Sequence, residues 1–257
     1  MIPLRDDIPA SRTPVVTYAI VAVCSAVFVA QLADRDGSLF ETFGMVPARV
    51  FDPTADHVVR ELVGSRLQSR ELRPAAVPDW FTLLTCTFLH GGWLHFLGNM
   101  LFLWIFGDNV EDRFGRVQFL VFYLASGVAA SLAHLWTAAD STVPTIGASG
   151  AIAGVMGAYL LLYPHSRVQM MIVWGVFVDF VVLPAPYFLV YWFVLQLVQG
   201  SVGFSGGGGG VAWWAHIGGF VAGAAVAGVL KVTAHLRPAP ATIVLVRRRW
   251  NRAPWHR

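Results

Sequence analysis

Two side chains in this sequence have the chemistry of a nucleophile and its general base. Ser149 lies in the segment TIGASGAIAG, and His216 lies in the segment AHIGGFVAG. A serine hydroxyl is a weak nucleophile until a base accepts its proton, and a neutral imidazole can do this near pH 7. No Asp or Glu lies in the apolar segments that carry them, where a buried carboxylate would be costly. We therefore expect a dyad rather than a triad.

A second polar group accompanies this pair, in the segment FLHGGWLHFLGNM. His95 and Asn99 are four residues apart and share one helix face, and His90 falls near the start of that helix. The Asn99 amide and the free N–H groups at the start of the Ser149 helix would suit an oxyanion. A metal site at His90, His95 and His216 is the alternative. Because no carboxylate or thiolate lies on these faces, we expect no metal and no other cofactor.

Small residues next to both candidate catalytic side chains indicate close helix packing. One GxxxG motif directly follows the serine and another follows the histidine; their glycines are Gly150, Gly154, Gly219 and Gly223. Such motifs let membrane helices approach closely, which would place the serine and the histidine at a similar height on adjacent helices. The alternative is that both motifs only pack helices and that the serine is one more small residue.

These segments belong to a chain with the composition of a polytopic membrane protein. Of its 257 residues 56% are hydrophobic and 13% are charged, about half the charged share of a soluble domain. The stretch 168–183 is apolar but contains Asp179 and ends before Pro184, so we expect an interfacial segment there rather than a seventh span. The expected fold class is an all-α bundle of six transmembrane helices. The predicted spans are about 14–33, 88–107, 115–137, 149–163, 186–203 and 211–231.

The distribution of basic residues orients the chain. With the N-terminus inside, the short outer loops at about 138–148 and 204–210 hold no Lys or Arg. The net charge of +3 is too small and too scattered to indicate nucleic acid binding. We expect a bacterial plasma membrane protein with both termini in the cytoplasm. The predicted parts are a cytoplasmic segment at 1–13, a membrane domain at 14–231 with an outer loop at about 34–79, and a basic, lipid-contacting cytoplasmic tail at 232–257.

The predicted helix of the serine is too short to cross the whole membrane. About 15 residues extend roughly 22 Å, whereas the hydrocarbon core is roughly 30 Å thick. Ser149 would then lie recessed below the headgroups. The loop before it, with Pro144 and Gly147, would be non-helical backbone at membrane depth, which is tolerated only where protein covers it or water fills it. Hydrolysis requires such water.

Taken together, these motifs resemble the rhomboid family of intramembrane serine proteases over residues 14–231. The resemblance rests on HGGWLHFLGNM, GASG, AHIGGFVAG and EDRFGRVQF, with FGMVP and LPAPYFLVYWFVLQ as further similar segments. It implies hydrolysis of single-span membrane proteins near the outer face, without metal or nucleotide. It implies these roles: Ser149 as nucleophile, His216 as its base, Asn99 and His95 as oxyanion-site residues, His90 as a structural or water-organising residue, and Gly147 in the loop before the nucleophile.

Two positions depart from the family pattern. Ala153 stands where some relatives have a tyrosine that stacks on the histidine, so His216 must be held otherwise, by Trp213 or Trp214. In the outer loop, Trp80 precedes a phenylalanine where the family often has Trp-Arg. The second departure concerns the loop rather than the chemistry.

The aromatic start of the fifth span has two interpretations. Tyr191 and Trp192 could belong to a lipid-facing aromatic belt, or, as the resemblance suggests, to a lateral gate for a substrate helix. Two other functions are alternatives to proteolysis. A non-catalytic rhomboid-like binder typically lacks the serine or the histidine, and both are present here. A small transporter would show an inverted repeat and charged midplane residues, which this sequence lacks.

Overall fold

The computed structural model describes residues 2–54, 57–63, 66–175, 177–206 and 212–238. The chain is mostly helical over these ranges, but it also forms two small sheets, which corrects the all-α expectation. The α-helices are α1 Val15–Ala33, α2 Ser38–Phe43, α3 Pro47–Phe51, α4 Thr82–Thr85, α5 Trp93–Phe114, α6 Arg116–Thr137, α7 Ser149–Leu162, α8 Ala185–Gly206 and α9 Trp213–Val232. The β-strands are β1 Ile2–Asp6, β2 Val58–Val63, β3 Arg66–Glu71, β4 Arg167–Trp174 and β5 Phe177–Pro184.

Four helices of the described part are long and apolar enough to cross a membrane: α1, α6, α8 and α9. Helix α7 is apolar but has only 14 residues, as the sequence predicts for the helix of the serine. Helix α5 has 22 residues and carries charged side chains in its last turns. Five of these six helices, all except α5, begin and end within three residues of a predicted span. The count of six membrane crossings itself stays a prediction.

Helix α5 differs most from its predicted span, 88–107. It starts later, at Trp93, because the preceding Gly92 has a φ of +148°, which a helix does not allow and which favours glycine. It continues to Phe114, beyond the predicted end of the span at 107. The Glu111 carboxylate in that end accepts hydrogen bonds from the backbone N–H and the hydroxyl of Thr17, both 2.8 Å long. The acidic residues therefore belong to a helix that anchors the start of α1.

The stretch 168–183 forms a β-hairpin instead of a membrane helix. Strand β4 pairs with β5 in antiparallel register, and β1 from the N-terminus pairs with the other edge of β4. The stretch is rich in Val, Ile, Phe and Trp, which favour strands. Gly175 at the turn has a positive φ of 61°, a conformation common in tight hairpin turns.

Helix α7 lies at the centre of the bundle and contacts α5, α6, α8 and α9. Its contact with α9 is made by glycines. A Cβ added to Gly219 would lie 2.0 Å from the carbonyl oxygen of Gly150, and one added to Gly223 would lie 2.0 Å from that of Gly154. Any side chain at these positions would collide with backbone. The two GxxxG motifs therefore face each other.

The loop between α1 and α5 folds over the end of the bundle where α7 begins. It contains α2, α3, the hairpin of β2 and β3, and α4, so it extends beyond the expected range of 34–79. Met45 and Thr145 exchange two backbone hydrogen bonds, of 3.1 and 2.7 Å. The segment FGMVP thereby holds the loop that leads into Ser149. The expected tail lies outside the described residues from position 239 onward.

Candidate active site

Ser149 and His216 face each other across the contact between α7 and α9. Ser149 is the first residue of α7, and His216 lies in the first turn of α9. The Nε2 atom of His216 is 2.7 Å from the Oγ atom of Ser149, a hydrogen-bond distance. In this arrangement the imidazole can accept the hydroxyl proton directly. The close backbone approach of the facing glycines brings the two side chains within reach.

The other ring nitrogen of His216 has a partner that the sequence reasoning missed. Its Nδ1 atom lies 2.7 Å from Oε1 of Gln196 on α8. Of the two tryptophans expected to support the ring, Trp213 has its ring centroid 6.1 Å from that of the imidazole. Trp192, which was expected only as a gate residue, has its ring centroid 5.7 Å away. Ala153, which replaces the stacking tyrosine of some relatives, is fully buried. The signal for Gln196 was its polarity within an apolar helix, which marks functional positions in membrane proteins.

His95 is held in a defined tautomer by the loop before its helix. The backbone N–H of Gly91 donates to Nδ1 of His95 over 3.2 Å, so the ring proton of a neutral His95 belongs on Nε2. Gly147 has a positive φ of 130°, and a Cβ there would lie 2.8 Å from that Nε2 and 3.4 Å from Oγ of Ser149. His95 and Ser149 thus flank the same glycine, where no larger residue fits.

Asn99 lies one turn after His95 and is only 8% exposed. Its Nδ2 atom has no hydrogen-bond partner among the described residues. The backbone N–H of Ser149 is in the first turn of α7, where no carbonyl of the same helix can accept it. An amide, an imidazole N–H and a backbone N–H are therefore available around the serine, which is the donor set that an oxyanion needs.

His90 lies behind these residues rather than beside the serine. The Gln31 amide donates to the carbonyl of His90 over 3.2 Å and accepts its N–H over 2.9 Å. The ring is buried and packs edge-on against Phe28, His95 and Phe96. Its two nitrogens have no partner in the described part of the chain. His90 packs against His95 and does not line the cavity that contains Ser149.

A cavity of about 530 Å³ opens on the serine. Its polar end is formed by the dyad, His95 and Asn99, and its other end is apolar, with Phe102, Ile152 and Met156. Trp192 lines this cavity, whereas Tyr191 is 58% exposed and does not. Of the two expected gate residues, only the tryptophan reaches the site. Over the described residues, no group of three or more His, Cys, Asp or Glu side chains could hold a metal ion.

The chain matches a known family over most of this architecture. The family model of the Rhomboid domain matches residues 77–232, which is more than half of the chain. The chain belongs to the rhomboid family. The match begins in the loop before α4 and includes every helix that contributes a side chain to the cavity. With its apolar helices, this rhomboid is a multi-pass membrane protein.

Curated rhomboids from several organisms are similar to this one. It is 33% identical to the chloroplastic rhomboid-like protein 11 of Arabidopsis thaliana over 129 residues, which cover 50% of this chain and 42% of the relative. It is 42% identical to the rhomboid protease GluP of Bacillus subtilis over 89 residues, or 35% of this chain and 17% of the relative. It is 29% identical to the mitochondrial rhomboid protein 1 of Saccharomyces cerevisiae over 151 residues, which cover 57% of this chain and 41% of the relative. The chain thus spans less than half the length of these relatives.

Proposed function

We propose that this rhomboid is an intramembrane serine endopeptidase that hydrolyses peptide bonds in or near the transmembrane segments of membrane proteins. The observation that carries the proposal is the 2.7 Å contact between Nε2 of His216 and Oγ of Ser149, next to donors without internal partners. A relative named as a rhomboid protease supports it. Membership in the family alone would also fit a non-proteolytic binder, but a binder has no need of a base at the serine.

In the proposed reaction, His216 takes the hydroxyl proton while Oγ of Ser149 attacks the peptide carbonyl carbon. The carbonyl oxygen becomes an oxyanion, which the Ser149 N–H, the Asn99 amide and the His95 Nε2–H would hold. The imidazolium then gives its proton to the departing amine, and an acyl-enzyme remains. Water attacks this ester with His216 again acting as base, which releases the carboxylic acid product and the free serine.

The position of the site suits a substrate that comes from the membrane. The 14 residues of α7 extend about 21 Å, less than the roughly 30 Å hydrocarbon core, so Ser149 would lie below the headgroups. A single-span substrate would enter laterally past α8, with Trp192 and Tyr191 as gate residues. The apolar end of the cavity would then receive an apolar side chain next to the cleaved bond. The polar end would hold the water that hydrolysis consumes.

The proposed topology follows from the basic residues and the family. Six crossings would place both termini in the cytoplasm of a bacterium and Ser149 toward the outer face of its plasma membrane. The proposed partners are single-span membrane proteins and the lipid bilayer, with no metal, nucleotide or nucleic acid. The proposed parts remain the segment 1–13, the membrane domain 14–231 and the basic tail 232–257.

The test is cleavage of a single-span reporter by the purified protein in liposomes, with Ser149→Ala as the inactive variant. We expect cleavage and fluorophosphonate labelling by the wild type and neither by the variant. Comparative membrane proteomics of cells that carry the two forms would then identify released ectodomains. Reporter cleavage that is unchanged in Ser149→Ala would overturn the mechanism. Absence of both cleavage and labelling in the wild type would favour the non-proteolytic binder.

A further inference from the structure

Gln196 links helix α8 to the catalytic base. Its side chain is 5% exposed and lies in an apolar helix, where a polar group needs partners. Its Nε2 atom donates to the carbonyl oxygen of Trp192, one turn earlier, over 3.2 Å, and its Oε1 atom lies 2.7 Å from Nδ1 of His216. Both ends of the amide are therefore used.

The orientation of this amide determines which ring nitrogen of His216 carries the proton. A flipped amide would bring Oε1 against the Trp192 carbonyl, and two acceptors would then face each other without a proton. With the amide as it stands, only an acceptor faces Nδ1, so Nδ1 must be the protonated nitrogen of a neutral ring. The Nε2 atom is then free to accept the Ser149 proton, which is the tautomer that a general base requires.

We propose that Gln196 is the positioning residue of the base. The site is then a hydrogen-bonded chain of Ser149, His216 and Gln196, in which a neutral amide occupies the place where other serine hydrolases use an acid. This inference rests on the proposed function and deepens it. An amide oxygen accepts a hydrogen bond from Nδ1–H without placing an ionised carboxylate in an apolar bundle, where its desolvation would be costly. Of the two catalytic side chains Gln196 contacts only the imidazole, so it acts through His216.

The position of Gln196 on α8 has a mechanical consequence. Trp192 lies on the same helix, lines the cavity and provides the carbonyl that orients the amide. Outward movement of α8 during substrate entry would lengthen the bond between Gln196 and His216. The base would then regain its orientation when α8 returns, so the same helix would both admit the substrate and complete the catalytic group.

The variants that test the proposal differ only in the group at the amide. Gln196→Leu keeps a similar size and removes the acceptor, whereas Gln196→Glu keeps an oxygen next to Nδ1. Gln199→Leu is the matched control, because Gln199 lies on the same helix but is exposed. With a single-span reporter, we expect Gln196→Leu to lower kcat at least about tenfold with KM within about twofold. We expect Gln196→Glu to recover part of the loss and Gln199→Leu to match the wild type.

A second readout does not depend on proteolysis. In protein with ¹⁵N-labelled histidine, the NMR signals of His216, assigned by their loss in His216→Asn, distinguish a protonated Nδ1 from a protonated Nε2. We expect the Nδ1–H tautomer in the wild type and in Gln199→Leu, and a mixture of tautomers in Gln196→Leu.

Three results would overturn the proposal: an Nε2–H tautomer in the wild type, an unchanged tautomer in folded Gln196→Leu, or an unchanged kcat in that variant. The failure of the proposed function is seen separately, as cleavage that Ser149→Ala does not abolish. The tautomer of the wild type still decides the role of Gln196 if Gln196→Leu does not fold.

Discussion

The central helices of this rhomboid carry polar side chains at both ends, and the two ends use them differently. We call the first group the serine-end cluster; its members are Ser149, His216, His95, Asn99 and Gln196. We call the second group the acidic-end cluster; its members are Asp6, Asn109, Glu111, Asp112 and Tyr159. Helices α5 and α7 contribute to both. The contrast separates polar residues that build the fold from polar residues that are available to a substrate.

The acidic-end cluster is largely bonded to itself and to the N-terminal segment. Asp6 accepts from the Tyr159 hydroxyl over 2.5 Å and from the Asn109 amide over 2.8 Å. Asp112 accepts from the backbone N–H and hydroxyl of Ser11, over 2.9 and 2.6 Å. These carboxylates tie β1 and the start of α1 to the ends of α5 and α7. Their role is structural because one oxygen of each carboxylate, Oδ2, already accepts two hydrogen bonds within the fold.

The serine-end cluster contains a hydrogen-bond donor that has no partner among the described residues. The Asn99 amide has no partner in the described part of the chain, and both its neighbour His95 and Ser149 border a cavity of about 530 Å³. A buried donor without a partner costs stability, commonly about 1–3 kcal/mol. The Asn109 amide on the same helix, by contrast, donates to Asp6. The amide donor without a partner therefore lies at the end of α5 that borders the cavity, which indicates a site prepared for a ligand.

The largest expected effect is a loss of kcat on substitution of Asn99, which is compared with the substitution of Asn109 on the same helix. Asn99→Ala should lower kcat by about 10²–10³, equivalent to roughly 2.7–4 kcal/mol, because it removes an oxyanion donor. The same change should alter the free energy of unfolding little, since the amide has no internal partner. Asn109→Ala is the counterpart: it removes the donor to Asp6 and should cost about 1–2 kcal/mol of stability with kcat unchanged. Reporter kinetics and thermal unfolding in detergent measure both quantities.

If Asn99→Ala destabilises the protein and leaves kcat unchanged, the distinction between the two clusters is wrong. If Asn109→Ala lowers kcat in fully folded protein, the acidic end takes part in catalysis. Either result would be visible in the same pair of measurements.

The next effect concerns the contact that brings the dyad together. Gly223→Ala places a methyl group where the Gly154 carbonyl oxygen lies only 2.0 Å from the Cβ position, so α9 must move away from α7. Overpacking of this kind costs about 1–3 kcal/mol, and the shift should also lengthen the distance between His216 and Ser149 and lower kcat. Gly228→Ala is the control in the same helix, because its nearest neighbour, Leu161, would lie 3.7 Å from the new Cβ. Equal stability and kcat in the two variants would refute close α7–α9 packing.

A smaller effect tests the anchoring of α1 by the acidic end. Glu111 accepts hydrogen bonds from the backbone N–H groups of Val16 and Thr17 and from the Thr17 hydroxyl, over 2.8–3.0 Å. Glu111→Gln replaces one acceptor oxygen by a donor that faces other donors, so we expect a loss of about 1–2 kcal/mol in thermal unfolding. Activity per folded molecule should not change. A fall in kcat without a fall in stability would contradict an anchoring role.

The sequence was most informative where function depends on local spacing. The interval between His95 and Asn99 predicts a shared helix face, and the two GxxxG motifs predict contact between the helices of Ser149 and His216. Both relations hold in the structure. They are predictable because helical periodicity and the absence of a side chain are properties of the sequence itself.

The remaining features depend on partners that are distant in sequence. The role of Gln196 is not visible in the sequence because it depends on contact with an imidazole 20 residues away, and a glutamine is not one of the acids that usually orient a catalytic histidine. The continuation of α5 beyond 107 was not predicted because the N-terminal donors that satisfy Glu111 lie more than 90 residues earlier. The hairpin of β4 and β5 was not expected, since a short apolar run does not distinguish a strand from a buried helix by periodicity alone.

The smallest predicted effect is a gain of stability rather than a loss, and it concerns Asp6 at the acidic end. Desolvation, with repulsion from Asp108 and Asp7, raises the pKa of Asp6 well above its ordinary value of 3.8, and the hydrogen bond from Tyr159 offsets this in part. A carboxyl whose pKa is higher in the folded state loses stability as pH rises from about 4 through that folded value. Asp6→Asn does not titrate, and its amide oxygen can replace Oδ2, which accepts the hydrogen bonds from Asn109 and Tyr159. The variant should therefore match the wild type below about pH 4 and be more stable than the wild type at pH 7. Thermal unfolding across this pH range measures the difference, and a variant less stable at pH 7 would mean that the charge of Asp6 is needed for the fold.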